Sequence, residues 1–245
     1  MTTSDASAPR FRHSWAWQAF RRIGFLRSGV YLAIELKRFL LEPQRTNRER
    51  VDRDFRLQID PFRYATNPIE HTRFWQQQQM LEHARGAKRF PRALEIGGAE
   101  GVFTEVLADR CDSLLVTDVS STALARSRAR RHWDASVHFE QWDLLRDPIP
   151  GSFDLIVVAG VLEYFTRPRT LRRVRTKLAE SLNPEGYLLV ASTRANPVVE
   201  ISWWGRSLVR GKWINEFVAG HQGLQVVENL ITERFAITLL RRSAP

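Results

Sequence analysis

From Ala93 onward, short apolar runs alternate with stretches of helical periodicity, and this rhythm leaves the chain few folds to choose from. The apolar runs fall at Ala93–Ile96, Leu114–Thr117, Val137–Trp142, Phe153–Val158, Tyr187–Ser192, Leu224–Ile231 and Phe235–Leu240. Helices fit between them at Glu100–Arg110, Ser121–His132, Arg167–Leu182 and Val199–Phe217. Strands separated by helices pair in parallel, with the helices covering both faces of the sheet. The last two runs are separated only by Thr232-Glu233-Arg234. Three residues cannot make a parallel crossover, so this pair must be an antiparallel hairpin. The expected fold is therefore α/β: a seven-stranded, mostly parallel sheet that ends in a hairpin.

The chain has 245 residues, 43% of them hydrophobic and 26% charged, which suits one large domain with an additional arm. A single cysteine, Cys111, rules out an internal disulfide and any zinc site built on several thiolates. It lies in an apolar neighbourhood and reads as a core residue; no metal site is expected. The net charge of +10 is densest in the first third of the chain. Such a balance suits nucleic acid, an anionic membrane surface, an acidic substrate, or simply a basic solvated surface. The clusters Arg128–Arg131 and Arg169–Lys177 fall on helix faces and read as solvated, which weighs against nucleic acid.

Between residues 11 and 41, Trp15, Phe20, Ile23, Val30, Ile34 and Leu41 recur at helical steps among Arg and Lys residues. This is an amphipathic helical arm. It reads as packing on the main domain, as a peripheral membrane contact, or as a dimer contact. The apolar stretch is broken by Glu35, Lys37 and Arg38, so it is neither a secretory signal nor a membrane span, and a cytoplasmic location is expected. Residues 42–58 mix both charge signs and read as a linker or a solvated helix. Asp60-Pro61-Phe62-Arg63-Tyr64 and Asn67-Pro68 carry turn chemistry, and a helix follows over Ile69–Lys88. The domain boundaries are accordingly 1–58 for arm and linker and 59–245 for the α/β domain.

Leu94-Glu95-Ile96-Gly97-Gly98-Ala99-Glu100-Gly101 follows the first strand and opens a helix. Gly97 and Gly101 let the backbone approach a ligand where a side chain would collide. The spacing is not G-x-G-x-x-G, and no Gly-Lys-Ser/Thr follows to cradle phosphates. Glu95, just before the glycines, suits a ligand bearing an amino group better than a pyrophosphate. Asp118 ends the second strand, where an acid can accept the two hydroxyls of a ribose; its alternative is to cap the helix at Ser121. Asp143 follows the third strand and can accept from an exocyclic amine, or simply shape a turn.

These residues resemble the class I S-adenosylmethionine (SAM)-dependent methyltransferases. The stretch Leu94 to Thr104 is similar to their first motif, Phe153 to Tyr164 to their fourth-strand motif, and Leu182-Asn183-Pro184-Glu185-Gly186 to the turn into their fifth strand. Within that superfamily the chain resembles the nodulation protein S type of N-methyltransferase. The similarity rests on Asp60-Pro61-Phe62-Arg63, Glu70-His71, the glycine-rich run and Phe153 to Leu162. The resemblance implies a Rossmann-like sheet and SAM as cofactor. It implies that Glu95 and Gly97 lie at the methionine part, with Gly98 in the same turn and Gly101 closing it. Asp118 would bind the ribose, with Val119 beside the adenine. Asp143 and Leu144 would hold the adenine amine and ring edge, and Ala159 and Gly160 would lie where the fourth strand opens toward the methyl group.

The reaction expected is methyl transfer to nitrogen or oxygen of a small molecule, such as a sugar, glycolipid or natural-product intermediate. An amine acceptor must be neutral and can react without a base, whereas a hydroxyl needs one. Glu163, Tyr164 and His71 are the catalytic candidates, with His221 behind them. Trp203, Trp204 and Trp213 either pave an acceptor pocket or pack in the core. The rivals are an RNA or protein methyltransferase, weakened by Ala159-Gly160-Val161-Leu162 standing where a nucleobase motif would be, and a non-catalytic, membrane-associated binding protein. Oligomeric state is left open.

Overall fold

The computed structural model describes residues 45–165, 167–193 and 211–243. The arm over 11–41, Trp203 and Trp204 lie outside the described residues, as does the greater part of the helix expected over Val199–Phe217. Pro43–Pro245 forms one compact unit.

The seven strands are β1 (Ala93–Ile96), β2 (Leu114–Asp118), β3 (Val137–Gln141), β4 (Phe153–Ala159), β5 (Leu182–Thr193), β6 (Leu224–Ile231) and β7 (Phe235–Arg242). They form one sheet in the order β3-β2-β1-β4-β5-β7-β6. The first five pair in parallel. β7 runs antiparallel to β5 and to β6, so the hairpin expected from the three-residue connection is present. The chain moves outward from β1 to β3, then crosses back to lay β4 against the other side of β1. That reversal opens a crevice over the carboxyl ends of β1 and β4, where ligands of such sheets bind.

Alternation along the strands sends neighbouring side chains to opposite faces, and each face carries its own core. Leu94, Ile156, Val158, Leu188 and Val190 pack on one face beneath α5 (Pro168–Glu180) and α6 (Gly211–Ala219). Leu155, Val157, Leu189 and Ile237 pack on the other beneath α2 (Pro68–Arg85) and α3 (Val102–Ala108). α4 (Ser121–Ala129) follows β2. The helices are somewhat shorter than the sequence pattern predicts, because caps decide their ends. Asn67 accepts from Ile69 N at 3.0 Å and Pro68 opens α2, while Gly86, at φ 59°, ends it.

One element departs from expectation. The stretch read as a linker or solvated helix is, from Arg45 on, a helix (α1, Arg45–Leu57), but its Val51 and Phe55 are buried. Its few apolar residues are spent on tertiary contact, which a charge-rich composition hides. Among the described residues no helix is long and apolar enough to cross a membrane.

Candidate active site

The crevice at the strand reversal is a cleft of about 770 Å³, counting its open mouth. Its floor is the carboxyl ends of the strands. Gly97 leaves β1 at φ 80° and donates its N–H to Thr117 O at 2.8 Å. A Cβ at Gly97 would fall 2.3 Å from Val161 Cγ2, so only glycine fits. Asp118 ends β2 nearly buried. Its Oδ2 accepts from Ala99 N at 3.0 Å and its Oδ1 from Ser120 N at 2.8 Å. Burial nevertheless pushes its carboxyl up to about 6. An ionised carboxylate offers about four acceptor positions, so backbone N–H groups do not use up its capacity to accept from a ligand. Asp143, beyond β3, accepts from Leu145 N at 2.9 Å and lies 3.6 Å from Arg146 Nε. Val119, Leu144, Ile96 and Ala159 add apolar floor and wall.

The roof comes from residues 48–64. Arg48, Val51 and Phe55 on α1, and Phe62 and Tyr64 in the turn after it, line the cleft. Phe55 and Phe62 meet edge to face with centroids 5.5 Å apart. Two buried or half-buried latches hold the roof down. Asp52 Oδ1 accepts from Ser120 Oγ at 2.7 Å and from Thr122 N at 3.3 Å. Glu100 Oε1 accepts from Asp60 N at 3.2 Å and from Arg126 Nη1 at 2.6 Å. Burial alone would raise the Asp52 carboxyl, but hydrogen bonds from Ser120 and Thr122, with the Arg56 charge, hold it below its ordinary value. The far wall is the 3₁₀ turn Leu162–Tyr164 with Phe165, and burial pushes the Tyr164 phenol up to about 12.

The cleft thus unites Gly97, Asp118, Val119, Asp143, Leu144, Ala159, Gly160 and Tyr164. The other sequence candidates lie elsewhere. Glu95 points away from the cleft, because strand alternation sets it opposite Ile96. Its Oε2 accepts from Thr104 Oγ1 at 2.6 Å, and burial pushes its carboxyl up to about 7, with the Asp118 charge adding to the shift. Gly98 packs behind the turn against Val116 and Glu95, and Gly101, at φ 82°, starts α3 against Ser127. Glu163 Oε1 accepts from Thr193 N at 2.7 Å, while its Oε2 is enclosed without a partner; burial raises this carboxyl too. His71 is exposed on α2, with Nε2 at 3.0 Å from Ala65 O. His221 precedes β6 at the amino end of the sheet, opposite the cleft, and Trp213 is exposed beside Phe217. Arg48, Val51, Phe55, Phe62, Tyr64, Trp142 and Phe165 also line the cleft, although none was expected as a site residue. The one available clue was the aromatic spacing in Phe62-Arg63-Tyr64.

The chain that carries this cleft matches known proteins. The family model "Nodulation protein S (NodS)" matches residues 43–215. The chain belongs to the nodulation protein S family. Its match starts at residue 43 and so includes α1. A nodulation protein S from Bradyrhizobium diazoefficiens is 34% identical over 151 residues, which cover 62% of this chain and 70% of that one. A nodulation protein S from Rhizobium tropici is 38% identical over 135 residues, covering 55% and 56%. Among solved structures, the N-methyltransferase NodS from Bradyrhizobium japonicum WM9 in complex with S-adenosyl-L-homocysteine (SAH) superposes with a TM-score of 0.68 at 27% identity, over 79% of this chain and 97% of that one. The family resemblance and the Rossmann-like methyltransferase fold expected from the sequence are both borne out.

Proposed function

We propose that this protein is a SAM-dependent methyltransferase that methylates a small molecule, with an amine nitrogen as the favoured acceptor atom and a hydroxyl as the second choice. The observation that carries this reading is Asp118. It is a buried carboxylate at the end of β2, next to the strand reversal, with acceptor capacity left over and an adjoining apolar floor. The nitrogen preference is supported by the N-methyltransferase that superposes on this chain.

The donor set fits the cofactor. A nucleoside needs acceptors for vicinal hydroxyls, which Asp118 supplies, and an acceptor for an exocyclic amine, which Asp143 supplies. Val119 and Leu144 offer apolar faces for the base. Gly97, at φ 80° in the turn that leaves β1, lines the cleft where a methionine moiety would lie. When bound, SAM supplies an electrophilic methyl group whose carbon–sulfur bond breaks with its electron pair left on sulfur.

The chain's own residues then have three tasks. Asp118 and Asp143 would hold the nucleoside end, leaving Ala159 and Gly160 at the open end of β4 to border the reacting group. The roof, with Phe55 and Phe62, excludes water. The far wall holds the acceptor in line; orientation of this kind lowers a barrier by roughly 7–11 kcal/mol. Of the three groups offered as a base, only Tyr164 lines the cleft, and its high phenol keeps it a neutral hydrogen-bonding group near pH 7. A neutral amine would need no more than that: its lone pair would displace sulfur from the methyl carbon, and the ammonium formed would give its proton to solvent once the product leaves the cleft. Glu163 supports this wall by holding the end of β5.

The test is titration calorimetry of SAH against the wild type and Asp118→Ala. Loss of charged hydrogen bonds to the ribose should weaken binding by more than about tenfold. Equal affinity in the two proteins would sink the placement of the nucleoside.

A further inference from the structure

The roof contributes a group that the floor and far wall do not explain. Tyr64 lines the cleft, and its hydroxyl lies over Gly160 so closely that a Cβ there would come within 3.2 Å of it. Gly160 sits at φ 69°, where the chain leaves β4, with its N–H given to Ala191 O at 2.9 Å. The backbone is thus bent and bare where the phenol descends. The hydroxyl makes no hydrogen bond among the described residues, although the ring around it is held from every side. Asp60 Oδ1 accepts from Tyr64 N at 2.6 Å. The ring packs between Phe62 and Phe74, at centroid distances of 5.6 and 5.9 Å. The buried Arg73 guanidinium lies 5.8 Å from its centroid and is itself fixed by Glu70 Oε2, 2.8 Å from Arg73 Nε. Such a constellation orders a side chain before any ligand arrives, so its hydrogen bond costs little further entropy. Burial raises the phenol above its ordinary value, so the oxygen stays protonated and neutral across the physiological range.

We propose that the Tyr64 hydroxyl meets the reacting atoms, accepting a hydrogen bond from the N–H or O–H of the acceptor and so turning the acceptor's lone pair toward the methyl group. This rests on the placement of SAM in the cleft. A neutral phenol oxygen suits the role. It accepts from an incoming amine without removing its proton, and it introduces no charge to repel or trap the acceptor.

Sinefungin tests this without knowledge of the acceptor, because it carries a protonated amine where SAM carries the sulfonium methyl. Its N–H groups would report on an acceptor oxygen at that position, whereas SAH, which has nothing there, would not. Calorimetry on wild type and Tyr64→Phe should show sinefungin weakened about tenfold, the loss expected for a hydrogen bond to a charged donor, with SAH affinity changed less than about twofold. Equal weakening of both ligands would assign Tyr64 a merely structural role and overturn the proposal, as would no change in either. If wild-type protein bound neither ligand, the cofactor placement itself would fail, a result distinct from both. Unchanged SAH affinity also certifies that the variant is folded.

Discussion

The floor and the roof of the cleft treat their carboxylates in opposite ways. On the roof, Asp52 receives hydrogen bonds from Ser120 and Thr122 and is held below its ordinary value. In the floor, Asp118 and, behind it, Glu95 are raised by burial, to about 6 and about 7. The roof acid is therefore a fastening: its charge favours the folded state. The floor acids carry charge at a cost to the fold, and a ligand that donates hydrogen bonds to Asp118 relieves part of that cost. Stability is spent where binding needs it, a familiar property of functional sites.

This contrast can be broken at either side. The largest effect is expected on the roof. Asp52→Ala removes a hydrogen-bonded charge and should cost about 1.5–3 kcal/mol near neutral pH, measured by urea unfolding. Because the folded value is depressed, this contribution is present above the ordinary value of 3.8 and is lost as pH falls through the folded value. The gap between wild type and variant should therefore close on acidification. A gap that widened in acid would show that Asp52 is no fastening.

The floor should respond with the opposite sign. The folded state holds the Glu95 proton up to about pH 7, while the unfolded chain releases it near 4.5. Stability is thus lost as pH rises between those values. Glu95→Gln removes the titration and should gain on the wild type by roughly 2 kcal/mol between pH 5 and pH 8 in thermal melts. SAH affinity should stay close to the wild-type value, in contrast to Asp118→Ala. A strong loss of SAH binding would move Glu95 back into the cleft. The smallest effect is expected at His71, which is exposed and, among the described residues, has its ring bonded to the Ala65 carbonyl. His71→Ala should alter stability by less than about 0.5 kcal/mol and leave SAH binding intact, since surface changes of this kind cost little. A large change in SAH affinity would make the start of α2 part of the cofactor site.

The same division separates what the sequence made legible from what it did not. Strands are announced by local pattern, and the sheet's rules then place the strand ends. Asp118, Asp143 and Gly97 could therefore be assigned to one pocket before any coordinates. Glu95 was placed there too, although the period of two along Leu94-Glu95-Ile96 already set it on the other face from Ile96. The roof is different in kind. Val51 and Phe55 are isolated apolar residues in a charged stretch, and their burial depends on partners such as Ala99 and Ala123, far along the chain. Phe62 and Tyr64 sit in a turn whose shape is set by Asp60, at φ 49°, and by its contact with Glu100. No window of local sequence contains those partners, so no local pattern could reveal the role.

Ser120 accepts from Ala123 N as the cap of α4, gives its hydroxyl to Asp52, and shares its N–H with Asp118. One residue is therefore the hinge-pin between cover and basin. Replacing it would loosen the lid and tilt the ribose clamp in the same stroke, so its effects on folding and on cofactor retention cannot be tuned apart. Any lineage that remodelled the cover would have to keep this joint or rebuild both halves together.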